Sequence, residues 1–142
     1  MSDTTDEERI VRTMEAFRKN RYDVSRFAER TAAADYLARE IRGKRVGFGD
    51  SETLRALSLY ERLSVHNEVV DPPRAGHVGG IEAFLAAGRE ALMTDIFVLS
   101  ANAITEEGQI LNMDGAGNRV AGSLFGHEKT YFVVGINKLV PN

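Results

Sequence analysis

The chain has 142 residues, 43% apolar and 27% charged, and its 18 Lys and Arg stand against 21 Asp and Glu for a net charge of −3. That is a globular composition with length for one domain and a real core, and a mildly acidic chain has no electrostatic reason to seek a nucleic-acid backbone. It has no Cys, which excludes disulfides, thiolate nucleophiles, cysteine-held zinc and a self-ligated iron–sulfur cluster.

Residues 1–20 are expected to form an N-terminal helix. Thr5 and Glu8 have capping-box spacing, and Ile10, Val11, Met14 and Phe17 then share a face. Asp3, Asp6, Glu7, Glu8 and Arg9 stand where a signal peptide needs an apolar core, and no apolar run approaches a membrane span, so a cytoplasmic location is expected. Tyr22 to Phe27 reads as a short strand. Thr31 is placed to cap a second helix with an apolar face of Ala34, Leu37, Ala38 and Ile41, stopped by Gly43. Lys44 to Phe48 reads as a buried strand, followed by Gly49-Asp50-Ser51 and a third helix from Glu52 to about Arg62.

Val65 to Val70 reads as another strand, broken by Asp71-Pro72-Pro73, and the stretch to Gly80 is loop-like. Ile81 to Ala91 is helical in pattern, with Phe84, Leu85 and Gly88 on one face. Asp95 to Leu99 is the strongest strand. Ala103-Ile104-Thr105 and Gln109-Ile110-Leu111-Asn112 flank Glu106-Glu107-Gly108 as a hairpin, with Gly at the position that needs positive φ. After the turn Asp114 to Asn118, Asn118 is placed to cap a short helix through Leu124, and Thr130 to Ile136 reads as a final buried strand. Strands alternating with helices predict an α/β fold: a mostly parallel open sheet with helices on both faces, in one domain over residues 1–142.

In such sheets ligands sit beyond the carboxyl ends of the strands. The Gly49-Asp50-Ser51-Glu52-Thr53 junction is one candidate, because glycine admits a ligand close to the backbone and a helix start offers N–H groups. The alternative there is a tight turn with Ser51 only as N-cap. Asp50 counts against a bare phosphate and suits a hydroxyl or amine. The polar stretch from Ser100 to Arg119 is the second candidate, with Ser100, Asn102 and Thr105 just past a strand end and Asn112, Asp114, Asn118 and Arg119 following. Arg119 is suited to a two-pronged carboxylate contact, whereas Asn and Asp commonly serve turns. Lys138, past the last strand, can reach an anion, though a solvated Lys is the plainer reading. His66, His77 and His127 lack metal-site spacing and read as surface residues. Glu106 and Glu107, adjacent on a turn, are a poor carboxylate pair.

The run from Asp95 through Asn102-Ala-Ile-Thr-Glu-Glu-Gly-Gln-Ile-Leu-Asn-Met-Asp-Gly-Ala-Gly-Asn-Arg119, closing with Val134-Gly-Ile-Asn-Lys138, resembles the LUD domain of lactate-utilization proteins. Gly47-Phe-Gly-Asp-Ser-Glu-Thr-Leu54 is similar to that family's GGS-x-T-L segment, with Phe48 as a departure. The resemblance runs from about Glu8 to Val140. It implies a fold like that of sugar-phosphate isomerases and CoA transferases. In those isomerases a GAD-x-I segment supplies an acid–base Asp. Here Asn102 takes its place, and an amide exchanges no proton near neutral pH.

Some members serve oxidation of L-lactate to pyruvate with iron–sulfur partner proteins carrying the electrons. The resemblance therefore implies a ligand-binding subunit for lactate or another small hydroxy acid. No cofactor is expected on this chain, iron–sulfur centres are expected on partner proteins, and a homo-oligomer is open. The alternatives are a self-contained isomerase or acyl-transferase using Glu106 or Asp114 as its acid–base group, and a non-catalytic regulatory module. Many relatives continue past the final strand, whereas this chain stops at Asn142, so either a compact form or a partner-completed pocket is expected.

Overall fold

A computed structural model describes residues 2–141. These residues cluster into two compact units. One comprises residues 27–100 and 113–134, and the other comprises residues up to 26, 101–112 and 135 onward.

The larger unit is built on a wholly parallel sheet. Strands β1 (Arg45–Phe48), β2 (Glu68–Val70), β3 (Ile96–Leu99) and β6 (Lys129–Phe132) lie in the order β2-β1-β3-β6. The central β3 is buried along its length, as a strand covered on both faces must be. Alternate residues divide between two cores. Val46, Phe48, Ile96 and Val98 meet Ala34 and Leu37 of α2 (Arg30–Glu40), Leu54 of α3 (Glu52–Ala56), and Leu59 and Leu63 of α4 (Leu59–Ser64). On the opposite face Phe97, Leu99 and Val70 meet Ala87 and Ala91 of α5 (Pro72–Ala91), and the Phe97 ring abuts Gly122 of α6 (Asn118–Leu124). The expected parallel sheet with helices on both faces is thus present in this unit.

The connection after β1 runs through α3 and α4 to one side of the sheet. The connection after β3 returns through α6 to the other side. The carboxyl ends of β1 and β3 therefore flank the point where the winding reverses, the place where open α/β sheets take ligands.

The smaller unit holds α1 (Ser2–Lys19), a hairpin of β4 (Ala103–Thr105) and β5 (Ile110–Leu111), a 3₁₀ turn over Ile136–Lys138, and β7 (Leu139–Val140), parallel to β4. The hairpin matches expectation, including Gly108 at φ +83°. Gly108 also lies against α1: a Cβ there would be 3.0 Å from the Ala16 carbonyl carbon, and Asn20 Nδ2 donates to the Gly108 carbonyl at 3.1 Å.

Several local expectations are corrected. α1 begins at Ser2, so Thr5 and Glu8 lie inside it, and Val11 is exposed whereas Thr13 and Phe17 are buried. Residues 22–27 form no strand. The cap position of α2 falls on Glu29, not Thr31. The third helix is two, split where Ser58 enters the left-handed region at φ 51°. Strand β2 begins only at Glu68.

The largest miss is α5. Pro72 and Pro73 open a helix whose N-cap is Asp71, because proline at a helix start removes only an N–H that has no partner there. The interruption comes at Gly80, with φ 75° and ψ −163°, where glycine alone is unstrained. The buried face of α5 is Ala87, Gly88 and Ala91, and Leu85 is exposed. The final strand of the large sheet stops at Phe132, short of Ile136. Among the described residues no helix is long and apolar enough to cross a membrane.

Candidate functional site

In the larger unit the ladder continues one residue beyond β1, where the Gly49 N–H donates to the Val98 carbonyl at 3.0 Å. Gly49 is required by contact. A Cβ there would stand 2.9 Å from Arg119 Cγ and 3.0 Å from Leu99 Cβ, so the Arg119 stem lies directly on the turn. Asp50 projects outward, and its carboxylate accepts from an Arg55 guanidinium nitrogen at 2.8 Å. Arg55 also donates to Glu52 at 2.6 Å. Glu52 first and Asp50 second hold the Arg55 pKa above its ordinary value. Ser51 is buried and its Oγ accepts from the Leu54 N–H at 3.3 Å, so it is the N-cap of α3. Thr53 is half-buried in the first turn of that helix.

Arg119 reaches the same turn from α6, whereas Asp114 precedes that helix and Asn118 lies nearer Gly88 of α5. The Asp114 carboxylate accepts from the Gly117 N–H and, at 2.9 Å, from the Val120 N–H. Asp114 therefore closes the start of α6, and Asn118 is its first residue, not its cap. Arg119 donates to the Asp50 carbonyl at 3.0 Å and to the Met113 carbonyl. Gly49, Asp50 and Arg119 are thus brought together, with Ser51 and Asp114 one residue from the two carbonyls.

At the end of β2, Asp71 is the remaining acid of this edge. Burial, the leading cause, raises its carboxyl above the ordinary range, against the lowering effect of the hydrogen bond from the Arg74 N–H. Arg74 itself pairs with Glu61 at 2.9 Å and lies 3.7 Å above the Tyr60 ring centre.

Five of the candidates belong to the smaller unit. Asn102 is exposed, and its N–H donates to the Leu111 carbonyl at 3.0 Å. Thr105 is buried, and its Oγ1 accepts from the Gln109 N–H at 3.1 Å, a turn-forming role. Glu106 accepts from Arg12 at 2.9 Å and pairs with Arg9 at 3.4 Å. The Arg12 bond above all holds the Glu106 carboxyl below its ordinary range, so it is a stable carboxylate and a poor proton donor. Asn112 is half-buried, and its Oδ1 has no partner within the protein. Lys138 closes the 3₁₀ turn ahead of β7 and does not follow the last strand of the large sheet directly.

Ser100, named in the second candidate stretch, and His127, expected at the surface, each hold a buried polar atom without a hydrogen-bond partner among the described residues. Ser100 follows β3 and is only 4% exposed, and its Oγ has no hydrogen-bond partner within the protein. Its position was legible, but its missing partner was not, because that depends on what packs over it. His127 is half-buried and not a surface residue. Its ring lies 4.9 Å from that of Phe97, and Nε2 is 3.0 Å from the Ala91 carbonyl, which accepts only if Nε2 carries the proton. Nδ1 is then a buried acceptor without a partner, beside a shallow depression lined by Ser123, Phe125 and Thr130. Among the described residues no group of three His, Cys, Asp or Glu is placed to hold a metal ion.

This edge of the larger unit brings together the Arg119 guanidinium, the close-packed Gly49 turn and the Ser51 cap of α3. A family model described as the LUD domain matches residues 10–142. No curated protein and no solved structure matched the chain.

Proposed function

The chain belongs to the LUD-domain family, and from that premise we propose that it is a ligand-binding subunit serving oxidation of L-lactate or a related small hydroxy acid. The family relates to lactate utilization. The observation that carries the reading is Arg119, held against the Gly49–Asp50 turn by the Asp50 and Met113 carbonyls. A guanidinium is the side-chain group whose planar fork matches a carboxylate. Asp50, already paired with Arg55, does not add a bare negative charge against that ligand.

In this reading Gly49, Asp50, Ser51, Thr53, Asp114, Asn118 and Arg119 form the ligand-facing edge of the larger unit. Asn102, Thr105, Asn112 and Lys138 belong to the smaller unit. The electrons leave through iron–sulfur centres on partner proteins, since this chain has no Cys to hold a cluster. The isomerase or acyl-transferase alternative needs Glu106 or Asp114 as its acid–base group. Both are engaged, Glu106 by Arg12 and Arg9 and Asp114 by the start of α6.

The test is a thermal-unfolding screen of the full chain, alone and with candidate iron–sulfur partners, against millimolar L-lactate, pyruvate, sugar phosphates and CoA esters. A ligand that binds the native state raises Tm by linkage. Stabilisation by lactate or pyruvate is expected. Indifference to both, with a response to a phosphosugar or thioester, favours the alternative, and no response to any compound refutes ligand binding.

A further inference from the structure

Folding leaves a group of large apolar side chains in water where α6 ends. Phe125 is 89% exposed and Leu124 is 77% exposed. Met93, 80% exposed, adjoins them: His127 Nε2 lies 3.0 Å from the Ala91 carbonyl, and a Cβ on Gly126 would stand 3.9 Å from the Leu92 carbonyl oxygen. The chain carries no Asp, Glu, Lys or Arg from Val120 to His127, nor from Ala91 to Thr94. Single exposed apolar residues need no explanation, but a contiguous uncharged group marks a surface that another molecule covers. All of these residues belong to the larger unit.

The same patch holds a recess. A depression of about 410 Å³ is lined by Ser123, Leu124, Phe125, Gly126, His127 and Thr130. A cavity of about 150 Å³ already accepts a benzene ring, so this depression has room for a phenyl side chain. Its polar wall does not oppose one. The Ser123 hydroxyl already donates to the Val120 carbonyl at 2.7 Å, and His127 offers an aromatic ring to pack against. The protruding Phe125 and the recess are neighbours on one chain. That is the arrangement a two-fold axis needs, because each copy then seats its own projection in the other's recess.

We infer that this patch is the interface of a two-fold homodimer, in which Phe125 of each copy enters the depression of the other. Charge favours a meeting at this place. Each copy carries a net charge of −3, so two copies repel unless the surfaces that meet are uncharged. Area sets the strength. An aromatic side chain buries about 150–250 Å², and the axis repeats every contact. Phe125, Leu124 and Met93 of both copies together bury on the order of 1,000 Å², the size of a weak, reversible interface. The patch precedes β3 and β6 in the chain and so lies at their amino ends, the edge of the sheet opposite the Gly49 turn. The inference is therefore independent of the proposed function.

The test is sedimentation velocity of the full chain across the micromolar range, for wild type, Phe125→Asp and Ile81→Asp. Ile81 is also exposed and apolar, but lies ten residues before Ala91 on α5, about 15 Å along the helix. Wild type should pass reversibly from monomer to dimer with rising concentration. Phe125→Asp should weaken that equilibrium about thirtyfold or more, the scale of a central aromatic anchor, and Ile81→Asp should leave it unchanged. In dilute, monomeric samples Phe125→Asp should keep the wild-type Tm, because an exposed ring has no packing to lose. A wild-type chain that stays monomeric throughout overturns the inference. So does a dimer that survives Phe125→Asp, or one that Ile81→Asp weakens equally. A Tm lower by several degrees in dilute Phe125→Asp shows that the ring packs within its own chain, and that also overturns it.

Discussion

Replacing Gly49 by Ala probes the contact that joins the glycine turn to α6. The backbone at Gly49 is not in the left-handed region, so the substitution is decided by space. The new Cβ meets Arg119 Cγ at 2.9 Å, Leu99 Cβ at 3.0 Å and Arg119 Cδ at 3.2 Å. Leu99 sits fully buried in the central strand and cannot yield, so the Arg119 stem must move and strain its bond to the Asp50 carbonyl. Overpacking of this kind costs about 1–3 kcal/mol, partly offset by about 0.4–1 kcal/mol from a less flexible unfolded chain. The net loss is then about 1–2 kcal/mol, or roughly 3–8 °C in Tm for a chain of this length. Thermal unfolding of Gly49→Ala, Arg119→Ala and the double variant tests this. Truncation of Arg119 removes two of the three close neighbours, so the alanine should cost about 1 kcal/mol less in that background. An unchanged Tm for Gly49→Ala, or the same loss in both backgrounds, refutes the claim that Arg119 packs on this turn.

The other expectations concern packing and charge. Gly122→Ala would put a Cβ 2.7 Å from both ε carbons of Phe97, a ring only 1% exposed, and should cost at least as much, about 3 kcal/mol in thermal unfolding. Gly115→Ala, with nothing within 4 Å, should change little, and equal losses for the two would contradict this packing. Glu106 is held below its ordinary pKa of 4.5 by Arg12 first and by Arg9. A pKa lower in the folded than in the unfolded state gives stability that is complete above the unfolded value and lost as pH falls through the folded one. The Tm deficit of Glu106→Gln should therefore be present at neutral pH and shrink as the pH falls below the ordinary 4.5, and a deficit that persists unchanged into strong acid would disprove the pairing.

The sequence made the large sheet legible because its strands are short apolar runs ended by Gly, Asp or Ser, as at Val46 to Asp50 and Ile96 to Ser100. The β4–β5 hairpin was legible for a similar local reason, since Gly108 occupies the position that needs positive φ. The start of α5 was not, because an Asp-Pro-Pro sequence is ambiguous between a turn and a capped helix, and tertiary packing decides. The strand expected at 22–27 failed because β propensity needs a neighbour to pair with. The candidate residues divide in the same way. Ser51 proved to be a cap, Thr105 a turn residue and Asp114 a helix-closing carboxylate, roles that short polar residues take by local bonding. The Arg119 bonds to Asp50 and Met113 and the unpartnered Ser100 hydroxyl depend on three-dimensional packing, which residue spacing does not encode.

The most direct measurement of the central claim is an amide and arginine ¹H–¹⁵N NMR titration with L-lactate. Saturable shifts at Gly49, Asp50 and Ser51 and at the Arg119 Nε–H are predicted, together with protection of that guanidinium. Saturable shifts that leave this turn and Arg119 untouched, for instance ones centred on His127 and Thr130, would contradict it.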